Sequence, residues 1–95
     1  MKTALWIAHV SVSDEESYKK YAALATDVIA EHGGVFLARG GDFRTLEGPE
    51  RPRNVVARFP SVQAAYDCYH SDGYQHALSF AKGASTRELS IVEEL

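Results

Sequence analysis

His32-Gly33-Gly34-Val35-Phe36-Leu37-Ala38-Arg39-Gly40-Gly41-Asp42-Phe43-Arg44-Thr45-Leu46-Glu47-Gly48 is the stretch that decides the fold. Two Gly-Gly pairs bracket an apolar run that ends in an arginine. A second short run ends in Glu-Gly. The pattern reads as helix stop, strand, tight turn, strand, with arms Val35 to Arg39 and Phe43 to Glu47. The turn sets the geometry of the two charges. A Gly40-Gly41 loop puts Arg39 and Glu47 on opposite faces. A Gly40-Gly41-Asp42 loop sets Val35 opposite Glu47, with Arg39 on their side. A Gly41-Asp42 loop would oppose Arg39 to Arg44, which repulsion disfavours. The three-residue loop is the preferred reading.

On the N-terminal side, Ser13 followed by Glu16 forms a capping box, and Asp14 and Glu15 suit the positive end of a helix. Tyr18, Tyr21, Ala22, Ala25, Val28, Ile29 and His32 recur at 3-and-4 spacing, one apolar stripe that Gly33 ends. Before it, Ala4 to Val12 is a strand with both parities largely apolar, so both faces are expected to be covered. On the C-terminal side, Pro49 and Pro52 mark a loop, and Asn54 to Phe59 is a strand that Pro60 stops. Ser61 caps a helix through about His70. Asp72 with Gln75 opens a second short helix, ended by Gly83, and Arg87 to Glu93 is the last strand. The order is β-α-β(β)-β-α(α)-β: an α+β, ferredoxin-like split βαβ with an antiparallel sheet and helices on one face, as one domain over 1–95.

The 95 residues, 45% of them apolar, make a globular domain with a modest core, so a second copy is the natural cover for the other sheet face. A net charge of −3 and scattered basic residues speak against nucleic acid or an anionic membrane. One cysteine excludes an intrachain disulfide and a cysteine-based zinc site. Ala4 to Ala8 is too short for a signal-peptide core or a membrane span, so a cytoplasmic protein is expected.

Arg39 and Glu47 can bind a polar ligand or pair with each other to order the hairpin. His9, in an otherwise apolar strand, is a general-base candidate or a satisfied core or interface residue. His32 complements its helix end, and His70 and His76 lack metal-site spacing, so no metal is expected. Cys68 near a helix C-terminus is packing, with its thiol pKa raised. The glycines match no nucleotide-binding motif, and no cofactor is indicated.

Trp6-Ile7-Ala8-His9-Val10, Tyr18 and Tyr21, Gly33-Gly34 to Arg39-Gly40-Gly41, Leu46-Glu47-Gly48, Arg53-Asn54-Val55-Val56, Phe59-Pro60-Ser61, Cys68-Tyr69, Ser71 and Tyr74-Gln75 occur together in order over nearly the whole chain. The set resembles the bacterial family called domain of unknown function 1330. The resemblance implies a dimeric α+β barrel, two sheets packed face to face. It places the chain near cofactor-free monooxygenases, muconolactone isomerase-like enzymes and chlorite dismutase-like haem proteins. It implies no particular reaction. Three positions depart from the family pattern: Arg58 stands where an acid is common, Asp72-Gly73 replaces Pro-Glu, and Ala81 replaces an arginine.

The expectation is a homodimer with a small cavity between sheet and helices that takes a small organic acid or aromatic metabolite. Arg39 would bind the anionic group, and His9 or Glu47 would polarise it or move a proton. The alternative is a non-catalytic dimeric binding or structural module in which Arg39 and Glu47 brace the hairpin.

Overall fold

A computed structural model describes residues 2–95. Strand β1, Ala4–Val12, has the predicted bounds. Its even positions Ala4, Trp6, Ala8 and Val10 are buried, while Leu5 and Ile7 are half-buried and His9 is exposed. The strand therefore alternates with period two, and the face carrying Leu5, Ile7 and His9 is left open.

Helix α1, Glu15–Glu31, buries Tyr18, Tyr21, Ala25 and Ile29 against the even face of β1, as the stripe predicts. Its cap is Asp14 rather than Ser13: the Asp14 carboxylate accepts from the Ser17 amide at 3.2 Å. The Ser13 and Asp14 amides both bond the Ala84 carbonyl, at 2.8 and 3.1 Å, which holds the chain as it enters the helix. Gly33, at φ +83°, ends the helix, and the Gly34 amide returns to the Ile29 carbonyl at 2.8 Å. A Cβ on Gly34 would stand 2.5 Å from Ile29 and 2.8 Å from Phe59, so the turn closes only with glycine there.

Strand β2, Val35–Arg39, follows. The predicted second arm does not form. Residues 43–47 have no strand pairing, and β2 pairs instead with β3, Arg53–Phe59. The edge that Phe43 to Glu47 would need is taken by a longer strand with three buried anchors, Val55, Ala57 and Phe59. Residues 40–52 form a loop in which Asp42 pairs with Arg44 at 2.8 Å.

Helix α2, Val62–His70, is capped by Ser61 as predicted. Helix α3, Asp72–Ala81, is capped one residue earlier than predicted: Ser71 Oγ accepts from the Tyr74 amide and donates to the Cys68 carbonyl, closing both helices at once. Strand β4, Ser85–Glu93, completes an antiparallel four-stranded sheet in the order β2-β3-β1-β4. The helices cover one face, around Trp6, Phe59, Tyr74 and Cys68. Cys68 is fully buried, and burial, with Glu31 nearby, pushes its thiol up to about 11, so it is packing as expected. Among the described residues no helix is long and apolar enough to cross a membrane.

Candidate functional site

The chain's six arginines fall into two sets. Arg44, Arg51 and Arg58 each pair with a carboxylate, of Asp42, Glu88 and Glu94, in the loop or on the open sheet face. Arg39, Arg53 and Arg87 have no ion pair among the described residues, and all three line one cleft between the sheet and α1. Trp6, Ala8, Tyr18, Tyr21, Phe36 and Val55 complete its walls.

Strand register explains the convergence. Arg53 and Arg87 both sit opposite Val10, one on each side of β1. Two interstrand spacings therefore separate their backbones, about 10 Å. Arg39 reaches the same face through a bulge between Phe36 and Ala38, which sets it opposite buried Val55. Each guanidinium lies over an aromatic ring: Arg39 on Phe36 at 4.5 Å, Arg53 on Tyr18 at 5.6 Å and Arg87 on Tyr21 at 4.6 Å. Stacking occupies the faces of the cations and leaves their in-plane N–H groups for an acceptor.

At depth the Tyr21 and Tyr74 hydroxyls lie 2.7 Å apart, and Arg87 Nη2 donates to both, at 2.7 and 3.1 Å. Burial, then the neighbouring Tyr74, raises the Tyr21 pKa, and burial raises that of Tyr74, so both phenols stay protonated. Burial works against the Arg87 charge, but Tyr21 and Tyr74 outweigh it and its pKa is raised. The Nε atoms of Arg53 and Arg87 are buried without a partner. No Asp, Glu or His lines the enclosed cleft. It is a set of donors without an acceptor.

The enclosed part measures about 30 Å³, room for about two waters. At Tyr18 and Arg53 it adjoins an open depression of about 240 Å³ also lined by Val10, Glu15, Gly40 and Pro52. Arg39 is exposed and held to α1 only by a 3.4 Å contact with Thr26 Oγ1, so the β2 wall has the loosest tether.

His9 and Glu47 are not in this cleft. They line a separate, open depression of about 530 Å³ on the opposite sheet face, under the 40–52 loop, with Arg51, Asn54 and Glu88. The expected grouping of Arg39 with Glu47 and His9 is thus divided by the sheet. Asn54 gives its amide nitrogen to the Arg51 carbonyl at 3.1 Å, so its oxygen faces His9 Nδ1 at 2.7 Å. His9 therefore donates from Nδ1. Arg58 is on this face too, bonded by Nε and Nη2 to Glu94 at 2.6 and 3.1 Å, and adds nothing to the cleft. Arg58, and then Thr3, hold the Glu94 carboxyl below its usual range. His32 bonds the Val28 carbonyl of its own helix at 2.9 Å, a structural role.

Arg53 and Arg87 were missed as site residues, although a signal was present. Arg53 shares strand parity with Val55, Ala57 and Phe59, and Arg87 with Leu89 and Ile91. An arginine on the apolar parity of a strand is directed at the core side of the sheet.

The fold defines the class: a ferredoxin-like α+β protein with a four-stranded antiparallel sheet. The chain belongs to the family described as a domain of unknown function, DUF1330, which matches residues 3–95. Among solved structures it is similar to the RPA0582 protein of unknown function from Rhodopseudomonas palustris, at 19% identity and TM-score 0.81, over 99% of this chain and 83% of that one. It is similar to SnoaB, a cofactor-independent oxygenase from Streptomyces nogalater, at 13% identity and TM-score 0.68, over 100% and 95%. A putative antibiotic biosynthesis monooxygenase from Nitrosomonas europaea matches at 14% identity and TM-score 0.68, over 99% and 91%. No curated protein sequence matches the chain.

Proposed function

We propose that the protein binds a small organic acid, with an aromatic or otherwise planar body, in the cleft between the sheet and α1. One observation carries the reading: Arg39, Arg53 and Arg87 converge on an aromatic-lined cleft without a carboxylate to neutralise them. An anion there gains charge-assisted bonds from groups otherwise left unpaired. Similarity to SnoaB and to the Nitrosomonas protein supports small-molecule handling by this architecture. No carboxylate or imidazole lines the enclosed cleft to take a proton, so the ligand enters already ionised.

Trp6, the single tryptophan, lines the cleft and reports occupancy by its fluorescence. Titration with a panel of aromatic and aliphatic carboxylates is expected to give a saturable change that weakens with salt. Arg53→Met is expected to weaken binding at least tenfold, from loss of a charged hydrogen bond of about 1.5–3 kcal/mol. A panel with no binder, or a binder indifferent to Arg53→Met, overturns the reading.

The protein is further proposed to be a homodimer through the open sheet face. Leu5, Ile7 and Val56 lie there beside Val35 and Val92, which are 61% and 50% exposed. A contiguous apolar face on a domain this small favours a second copy as cover. Size-exclusion chromatography with light scattering at micromolar concentration is expected to give twice the chain mass. A monomer there counts against the dimer and leaves the cleft untouched.

A further inference from the structure

The donors of the cleft form two groups. Tyr21 and Arg87 line it at depth, with fully buried Tyr74 bonded to both behind them. Arg53 and exposed Arg39 stand toward the mouth, on the far side of β1 from Arg87. Each group is short of an acceptor.

Proton counting makes this definite at depth. Arg87 Nη2 spends its hydrogens on the two phenol oxygens. Between those oxygens, 2.7 Å apart, only one hydroxyl hydrogen can lie. The second hydroxyl hydrogen has no acceptor, because each hydroxyl meets only the other phenol and the Arg87 guanidinium, a donor, and both phenols remain protonated. Arg87 Nε is likewise unpaired. At the mouth, Arg53 Nε is buried and unpaired, and Arg39 has only the long contact to Thr26. Thr26 already donates its own hydroxyl to the Ala22 carbonyl at 2.7 Å.

A single carboxylate can satisfy one group and leave the other. The space between is about 30 Å³ here, so a flat body fits only once the β2 wall, tied to α1 by the 3.4 Å Arg39–Thr26 contact, moves outward; Ala8 on β1 and Ala25 on α1 line it, and Tyr18 presents a ring at the mouth. Small side chains on facing elements leave room where a larger pair would meet.

Resting on the reading of the cleft as an organic-acid site, we infer that its ligand is a planar, unsaturated acid with an acceptor at each end. One end is a carboxylate held by Arg53 and Arg39. The other is a second carboxylate or an oxo oxygen lodged against Tyr21, Tyr74 and Arg87. A donor at the deep end is rejected, because it would face only N–H and O–H groups. The phenols are binding residues that choose the deep substituent.

The test compares four probes by Trp6 fluorescence and calorimetry: benzoate, terephthalate, 4-formylbenzoate and 4-aminobenzoate. Terephthalate and 4-formylbenzoate are expected to bind at least tenfold more tightly than benzoate, and 4-aminobenzoate no more tightly. In Tyr21→Phe/Tyr74→Phe the ratio of two-ended-acid affinity to benzoate affinity is expected to fall to about one. Tyr21→Phe alone, which removes one hydroxyl and keeps the ring, gives the same comparison if the double variant does not fold. Equal affinities for benzoate and the two-ended acids overturn the inference and leave the acid-binding reading standing. An advantage that survives loss of the hydroxyls also overturns it. Silence from all four probes overturns the inference and, with a silent wider panel, the reading beneath it.

Discussion

Trp6→Ala is expected to lower the unfolding free energy by about 3–5 kcal/mol, the range for removing a buried large aromatic side chain. Trp6 is 1% exposed on the central strand. It stacks on Phe59 at 5.5 Å between centroids, meets Tyr74 edge-on at 5.2 Å and touches Tyr69 at 6.1 Å. These rings come from β3, α3 and α2, so one truncation loosens three elements at once. A domain of this length has a total stability of roughly 5–14 kcal/mol. At about 4–8 °C per kcal/mol the melting temperature falls by roughly 15–35 °C. Chemical denaturation of the two proteins measures it. Trp6→Phe, which keeps one ring, is expected to lose less than half as much. A loss below about 1 kcal/mol for the alanine variant would show that the core is not assembled around this ring.

Arg87→Met is expected to separate stability from binding. Arg87 is half-buried, has no carboxylate, and leaves its Nε unpaired. A cation in that position carries a desolvation cost of several kcal/mol that two hydrogen bonds to neutral phenols offset only in part. Methionine keeps the length of the stem and removes the charge, and Tyr21 and Tyr74 still bond each other. Stability is therefore expected to stay within about 1 kcal/mol of the parent, or to rise. Binding of a two-ended acid is expected to fall about 10–100-fold, as one or two charged hydrogen bonds disappear. Thermal denaturation and Trp6 titration on the same samples read both. A stability loss above about 2 kcal/mol, with binding intact, would make Arg87 a brace for the tyrosine pair instead of a ligand group.

The elements were open to reading because their signals are local. β1 ends where its apolar run ends, Ser61 caps α2, and Gly33 stops α1, each from a few neighbouring residues. The caps at Asp14 and Ser71 each differ by one residue from expectation, and Ser71 serves two helices at once. Phe43 to Glu47 has strand composition, but pairing is a competition, and β3 won the β2 edge from across a thirteen-residue loop (residues 40–52). His9 and Glu47, expected to share a cavity with Arg39, line a depression on the other face of the sheet.

From the sequence alone come the types of the seven elements that form, their antiparallel α+β arrangement and His9 as a polar group on an apolar strand. Periodicity and capping depend on neighbours along the chain, so they survive without coordinates. Tertiary structure decided which charges share a face. By simple alternation Arg39 belongs with Val35, on the open side. The bulge at Phe36/Ala38 shifts it by one residue and brings it over the Phe36 ring, on the side of Arg53 and Arg87. In a repeat of two, one extra residue reverses the side of everything after it, and only the pairing with β3 puts that residue there.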